Sequence, residues 1–167
     1  ASTVVFARGL GSNVIDVDGN RYVDLAAGFG SLLLGHDHPA IRRVLGLQAE
    51  RLWQALGDVH PSDARVALSE RLAQLHPSGS GQVVLGQSGA DAITAALKTA
   101  ALFTGKPGVL AFSGAYHGLS YGPLAALGLR ESYRAPFAAQ LNPSVRFLPY
   151  PADDDALDET LERLRLE

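Results

Sequence analysis

The sequence has no cysteine, no methionine, a single tryptophan, and only two lysines among its fourteen basic residues. Without cysteine there is no disulfide framework, no thiolate nucleophile and no metal–thiolate centre. Long apolar runs are missing as well. The first ten residues carry Arg8 and nothing of the length that a signal peptide or a membrane span needs. Nor is there a basic run: with a net charge of −3 and 19% charged residues, nothing supplies the positive stripe that nucleic acid or an anionic membrane surface requires. What is present is the composition of a soluble globular domain, 167 residues at 47% hydrophobic content, enough for one buried core and expected in the cytoplasm. In the last fifteen residues Ala156, Leu157, Leu161, Leu164 and Leu166 recur at helical spacing with no stop signal after them. Together with the missing methionine, this leads to the expectation of a truncated chain, although the final Leu-Glu also fits a cloning remnant.

Residues 14–17 and 21–25 read as two short strands joined by the turn Asp18-Gly19-Asn20, so the chain opens with a hairpin. Asp16, Asp18 and Asn20 imitate a calcium loop, but the sixth position is Arg21 where glycine is needed and the twelfth is Ala27 where glutamate is needed. Calcium is therefore rejected. The glycine-rich run from Gly28 reaches its sixth position at Leu33, so the dinucleotide fingerprint also fails. Pro39 and the apolar residues after it predict a helix over 39–56, and Val66, Leu68, Leu72 and Leu75 predict another over 62–75. Pro77, Gly79 and Gly81 mark a loop, taken as the boundary between an N-terminal segment, 1–76, and a second domain, 77–167. Beyond it a strand at 82–85, a helix at 89–103 and a strand at 109–112 form a βαβ unit, which places the chain in the α/β class with a parallel sheet.

Ligands of open α/β sheets bind at the carboxyl ends of the strands, so the loops after 85 and 112 are the places to look. In the first, Ser88-Gly89-Ala90-Asp91 combines a helix N-cap with a capping-box acid, and the small residues leave backbone N–H groups open to an oxyanion. The same residues fit a helix cap with no further role. In the second, Tyr116 and His117 stand between Gly114 and Gly118. A tyrosine there can stack on a planar heteroaromatic ligand. An isolated Tyr-His pair more often is a ring that fills core space beside a histidine bonded to the backbone. Gly86-Gln87-Ser88-Gly89-Ala90 also comes close to the nucleophile elbow of α/β-hydrolases, with Ser88 as nucleophile and His117 as base, but Ala90 replaces the last glycine and no free acid lies between the two.

Four ordered segments carry a resemblance. They are residues 11–39, which include Asp16-Val17-Asp18-Gly19-Asn20-Arg21-Tyr22-Val23-Asp24 and end in Leu34-Gly35-His36-Asp37-His38-Pro39; Gln87-Ser88-Gly89-Ala90-Asp91-Ala92 with Ala95-Ala96-Leu97-Lys98; Ala115-Tyr116-His117-Gly118; and Tyr133-Arg134-Ala135-Pro136-Phe137 followed by residues 145–151. In this order they resemble the class III (omega-amino acid) aminotransferases, enzymes of fold type I that depend on pyridoxal 5'-phosphate. The resemblance implies an N-terminal hairpin and helices followed by the first βαβ part of the large, cofactor-binding domain. It implies that Ser88, Gly89 and Ala90 hold the cofactor phosphate, that Tyr116 stacks on its ring with His117 supporting the loop, and that Phe29, Gly30 and Ser31 line the substrate pocket. It also reads the turn around His36 and His38 as structural rather than a metal pair. Asp91 departs from the family's usual glutamate and Ile93 from its common asparagine.

Transamination needs a lysine for the Schiff base and an acid on the pyridinium nitrogen. The two lysines here, Lys98 and Lys106, lie on the phosphate helix and in the break after it, and in the family both groups come later in longer chains. The expectation is an N-terminal portion of an enzyme that moves an amino group from an amine or omega-amino acid to a keto acid, working as a homodimer or with a complementing remainder. Alone it would bind cofactor weakly and turn nothing over. A non-catalytic remnant or interaction module with the same fold is the alternative.

Overall fold

The structure, a computed structural model, describes residues 3–57 and 59–166. It divides into two compact units, Ala1–Ala67 and Leu68–Glu167, and the boundary falls within the helix α3 (Asp63–Gln74).

The first unit is built on an antiparallel sheet of β1 (Phe6–Leu10), β2 (Asn13–Asp16) and β3 (Arg21–Val23), in that order. The predicted hairpin is β2–β3, with Val14 opposite Tyr22. β1 was not predicted; it pairs through Gly9 with Val14 and shifts register between Phe6 and Arg8. Val14 is buried between its neighbours. The acidic residues that imitate a calcium loop have a local use. The Asp16 carboxylate, only 5% exposed, accepts from the Asp18 and Asn20 backbone N–H groups at 3.0 and 2.8 Å, from Asn20 Nδ2 at 3.0 Å and from the Tyr22 hydroxyl at 2.9 Å. These donors, the Asn20 side chain first, hold it below the usual carboxylate range.

After the sheet come α1 (Ala27–Gly30), a single irregular turn, and α2 (Pro39–Arg51). Pro39 takes the first helical position, where its missing N–H costs nothing. The helix stops five residues short of the predicted end at 56, because Leu52 turns extended and Trp53 points into solvent at 88% exposure. The second predicted helix, 62–75, matches α3 to one residue at each end.

The second unit contains α4 (Gly89–Thr104), β4 (Val109–Phe112), α5 (Tyr121–Ala125), α6 (Glu131–Arg134), a 3-10 turn (Ala135–Gln140), β5 (Val145–Leu148) and α7 (Asp154–Leu166). β4 and β5 run parallel, Val109 opposite Val145 through Phe112 opposite Leu148. The α/β class therefore holds, but the pairing differs from that predicted. Residues 82–85 form no strand among the described residues, and β4 takes β5 as its parallel neighbour. A strand exists only where another backbone accepts its N–H and C=O groups, and none is placed beside 82–85 here.

The core of this unit is Ala111, Leu148, Pro123 and Leu124 through Leu127, with Leu127 fully buried. α7 packs against β5, and its buried Thr160, 2% exposed, donates from Oγ1 to the Pro149 carbonyl at 3.2 Å. In the predicted C-terminal helix, the side chain of Leu166, the last member of the apolar stripe, and all of Glu167 lie outside the described residues, as do Ala1 and Ser2 at the other end. Among the described residues no helix is long and apolar enough to cross a membrane.

Candidate functional site

The first half of the site is the N-terminus of α4. Ser88 is extended, at φ −159° and ψ 169°, and caps the helix: its Oγ accepts the Asp91 N–H at 3.2 Å. The Asp91 carboxylate folds back and accepts the Gln87 N–H at 3.0 Å. The acid therefore closes on Gln87, one residue before the cap, where the usual capping box would return to the Ser88 N–H. Ala92 donates to the Ser88 carbonyl at 3.0 Å. By helical geometry this leaves the N–H groups of Gly89 and Ala90 with no carbonyl inside the helix. Ser88 and Gly89 are exposed, and apart from the adjoining residues and the helix's own backbone no atom of the described residues lies within 4 Å of where a Gly89 Cβ would stand. Two open N–H groups, a hydroxyl and the positive end of a four-turn helix make a place for an anion with a phosphate's geometry.

The second half is the loop leaving β4. Ser113 donates to the Leu148 carbonyl at 2.8 Å and so extends the β4–β5 ladder by one step. Beyond it the loop is bracketed by Gly128: Gly114 donates to the Gly128 carbonyl and Gly128 donates to the Ala115 carbonyl, each at 3.0 Å. The bracket is tight enough that a Cβ on Gly128 would collide with the Phe112 carbonyl. At its far end the loop comes down on α4. Gly118 has a φ of +106°, and a Cβ there would meet Ala90 Cβ at 2.5 Å. Between these two anchors Tyr116 is 57% exposed, and His117 is half-buried.

The fold thus brings together Ser88, Gly89, Ala90, Tyr116 and His117, the five residues read from sequence as cofactor contacts, in one unit at the carboxyl side of β4. Phe29, Gly30 and Ser31 belong to the other unit, on and just after α1; Phe29 is fully exposed. His36 Nε2 lies 2.7 Å from Asp24 Oδ2, and His38 stands at the N-cap of α2. The Ser88 hydroxyl accepts the Asp91 N–H and makes no hydrogen bond with His117, so the hydrolase alternative has no nucleophile–base contact to rest on. One positioning residue, Gly128, escaped the sequence reading, and the contact made by another, Gly118, was not foreseen. Gly128 sits in an unremarkable Leu-Gly-Leu context, and Gly118 belonged to a recognised motif but gave no hint that its partner is Ala90.

The family described as Aminotransferase class-III matches residues 1–166. Among curated relatives, the diaminobutyrate–2-oxoglutarate aminotransferase of Haemophilus influenzae is 38% identical over 158 residues, covering 87% of this chain and 32% of its own length. The alanine/serine racemase of Pyrococcus horikoshii is 32% identical over 144 residues, covering 86% of this chain and 30% of its own. The solved structure of an omega-aminotransferase from Paracoccus denitrificans overlays 99% of this chain and 40% of its own at a TM-score of 0.85 and 26% identity. The chain spans about a third of the length of the curated relatives it matches.

Proposed function

Because this chain belongs to the class-III aminotransferase family, we propose that it forms the phosphate-holding and ring-stacking part of a pyridoxal 5'-phosphate enzyme that transfers an amino group between an amine or amino acid and a keto acid. The observation that carries this reading is the contact of Gly118 with Ala90, which brings the Tyr116 loop against an anion-ready helix N-terminus. The residues present fit the cofactor's phosphate. Gly89 and Ala90 would donate N–H groups to it, Ser88 would add its hydroxyl, and Tyr116 would cover one face of the ring while His117 backs the loop. When bound, the cofactor supplies the electron sink for chemistry at the amino-bearing carbon. Phe29, Gly30 and Ser31 are assigned to the substrate pocket, and the segments 1–76 and 77–167 to the small-domain part and the start of the large domain.

The chemistry also needs a lysine, and neither lysine of this sequence suits. Lys98 is exposed, ten residues along α4 from Ser88, about 15 Å at the rise of an α-helix. Lys106 follows the helix end. We therefore assign the reacting lysine to polypeptide outside these 167 residues, in a cytoplasmic enzyme that works as a dimer. A racemase is the second reading, favoured by the alanine/serine racemase among the relatives. The test adds pyridoxal phosphate to the complete polypeptide and to this segment alone. A borohydride-reducible absorbance band and keto-acid-dependent amino transfer in the complete protein only is the expected result. Loss of optical purity without keto acid consumption assigns the racemase, and no band in the complete protein refutes both.

A further inference from the structure

Ala27, Gly28, Phe29 and Gly30 have φ values of 46°, 60°, 57° and 81° in succession. Two of the four carry side chains, which disfavour this left-handed region, and such backbone persists only where its surroundings hold it. Within the loop, Gly30 donates to the Ala26 carbonyl at 3.0 Å and Leu32 to the Ala27 carbonyl at 2.9 Å; the side chains that hold it are Asp24 and His36. Asp24 Oδ1 accepts the N–H groups of Ala26 and Ala27 at 3.0 and 2.9 Å, at the entry to the left-handed run. Its other oxygen meets His36 Nε2 at 2.7 Å, where the loop returns.

Both residues are tied to the strands beneath. The Asp24 N–H donates to the Ser12 carbonyl at 2.9 Å. His36 and Gly11 exchange N–H to carbonyl bonds at 2.8 and 2.9 Å. The His36 ring lies flush on Gly9, where a Cβ would stand 2.5 Å from its Cγ. Inside the loop the Ser31 hydroxyl donates to the Gly28 carbonyl at 2.7 Å. The excursion from Leu25 to Gly35 is thus closed at its base by the carboxylate–imidazole contact, with the backbone bonds to Ser12 and Gly11 beneath it, while Phe29 stands fully exposed at its crest.

We propose that Asp24 and His36 are positioning residues, a clamp that holds residues 27–31 in their left-handed course and fixes where Phe29, Gly30 and Ser31 meet the substrate. The second half rests on the substrate-pocket assignment above; the clamp itself does not. The experiment uses the complete enzyme that contains this segment, with H36A, D24A and H36Q. Glutamine places an amide nitrogen close to Nε2 and keeps the donor. Hydrogen–deuterium exchange of the amides at 26–31, cofactor affinity, KM for the amino donor and kcat are measured for each.

Alanine at either position should speed exchange at 26–31 and raise KM, each by roughly tenfold or more, the size expected for loss of a charge-assisted hydrogen bond. Cofactor affinity should stay within about twofold, because neither residue is among those assigned to hold the cofactor. H36Q should return exchange and KM most of the way. Exchange unchanged in both alanine variants overturns the clamp, as does a loss of cofactor affinity that matches the rise in KM, which marks general destabilisation. Should H36A or D24A not fold, D24N, which keeps the side chain's volume, gives the same exchange readout. An unsubstituted enzyme with neither transaminase nor racemase activity sinks the functional reading, while exchange still decides the clamp.

Discussion

At Gly118 the room for a single hydrogen separates a formed site from a broken one. A methyl group there would stand 2.5 Å from Ala90 Cβ, on a backbone whose φ of +106° side chains avoid. Gly118→Ala should therefore cost about 1–3 kcal/mol in strain and lift the Tyr116 loop off α4. The expected result is a clear loss of pyridoxal phosphate affinity by fluorescence titration; unchanged affinity would detach the loop from the site. Ser88 separates two roles in one side chain. As an N-cap its loss to alanine costs about 1 kcal/mol of stability, and its loss to glycine only a few tenths. If the hydroxyl also holds phosphate, Ser88→Gly melts near the native temperature yet binds cofactor as weakly as Ser88→Ala. Recovery of affinity along with stability would reduce Ser88 to a cap. The cap at Ser88 was legible in sequence, as was the motif behind the proposed phosphate contact, because Ser88, Asp91 and the open N–H groups lie within four residues. Gly118 was legible only as a motif letter, since its partner is 28 residues away.

Elements show the same division between near and far. The β2–β3 hairpin was predictable from Asp18-Gly19-Asn20, and the turn is held by Asp16. Asp16, Asp24 and Asp63 are all held below the usual carboxylate range, by the Asn20 side chain, the His36 ring and the Arg51 guanidinium respectively. A carboxyl whose folded pKa is depressed stabilises fully above its unfolded value of about 3.9 and loses that contribution as pH falls through the folded value. Acid unfolding followed by circular dichroism should therefore set in below about pH 4, and Asp16→Asn should flatten that dependence; a stability independent of pH in that range would contradict the assignment. α4 was predicted to one residue because its cap and its Gly105-Lys106-Pro107 break are local signals. The pairing of β4 with β5 was missed because 36 residues separate Val109 from Val145, and nothing in either four-residue run names the other. That sheet and the loop above it depend on the buried 123–127 segment. Leu127→Ala should cost about 2–5 kcal/mol and, through Gly128, loosen the Tyr116 loop, read as faster amide exchange at 114–116.

For the molecule as a whole, the contrast is between a small core and much exposed apolar surface. Leu25, Phe29, Leu33 and Trp53 in the first unit, and Val84, Leu102 and Phe103 in the second, are each at least 72% exposed. Side chains exposed to this degree offer apolar surface that a hydrophobic dye or further protein could cover. The 167-residue polypeptide produced by itself is therefore expected to bind a hydrophobic dye and to scatter light as more than a monomer. A dye-silent monomer would mean that these surfaces need no cover.

By itself the sequence determined the helix caps, the proline-started helix, the opening turn and the order of four motifs that resembles the class III family. Each rests on residues a few positions apart, where backbone preference and side-chain reach suffice. Only the tertiary structure decided that the strand beside β4 is β5, that Gly118 seats the tyrosine loop on Ala90 with Gly128 bracketing its base, and that Asp24 and His36 close the left-handed loop. Those contacts join residues 12 to 36 positions apart. Spacing and periodicity carry no record of which distant surfaces meet; that is settled by packing, once the chain has closed on itself.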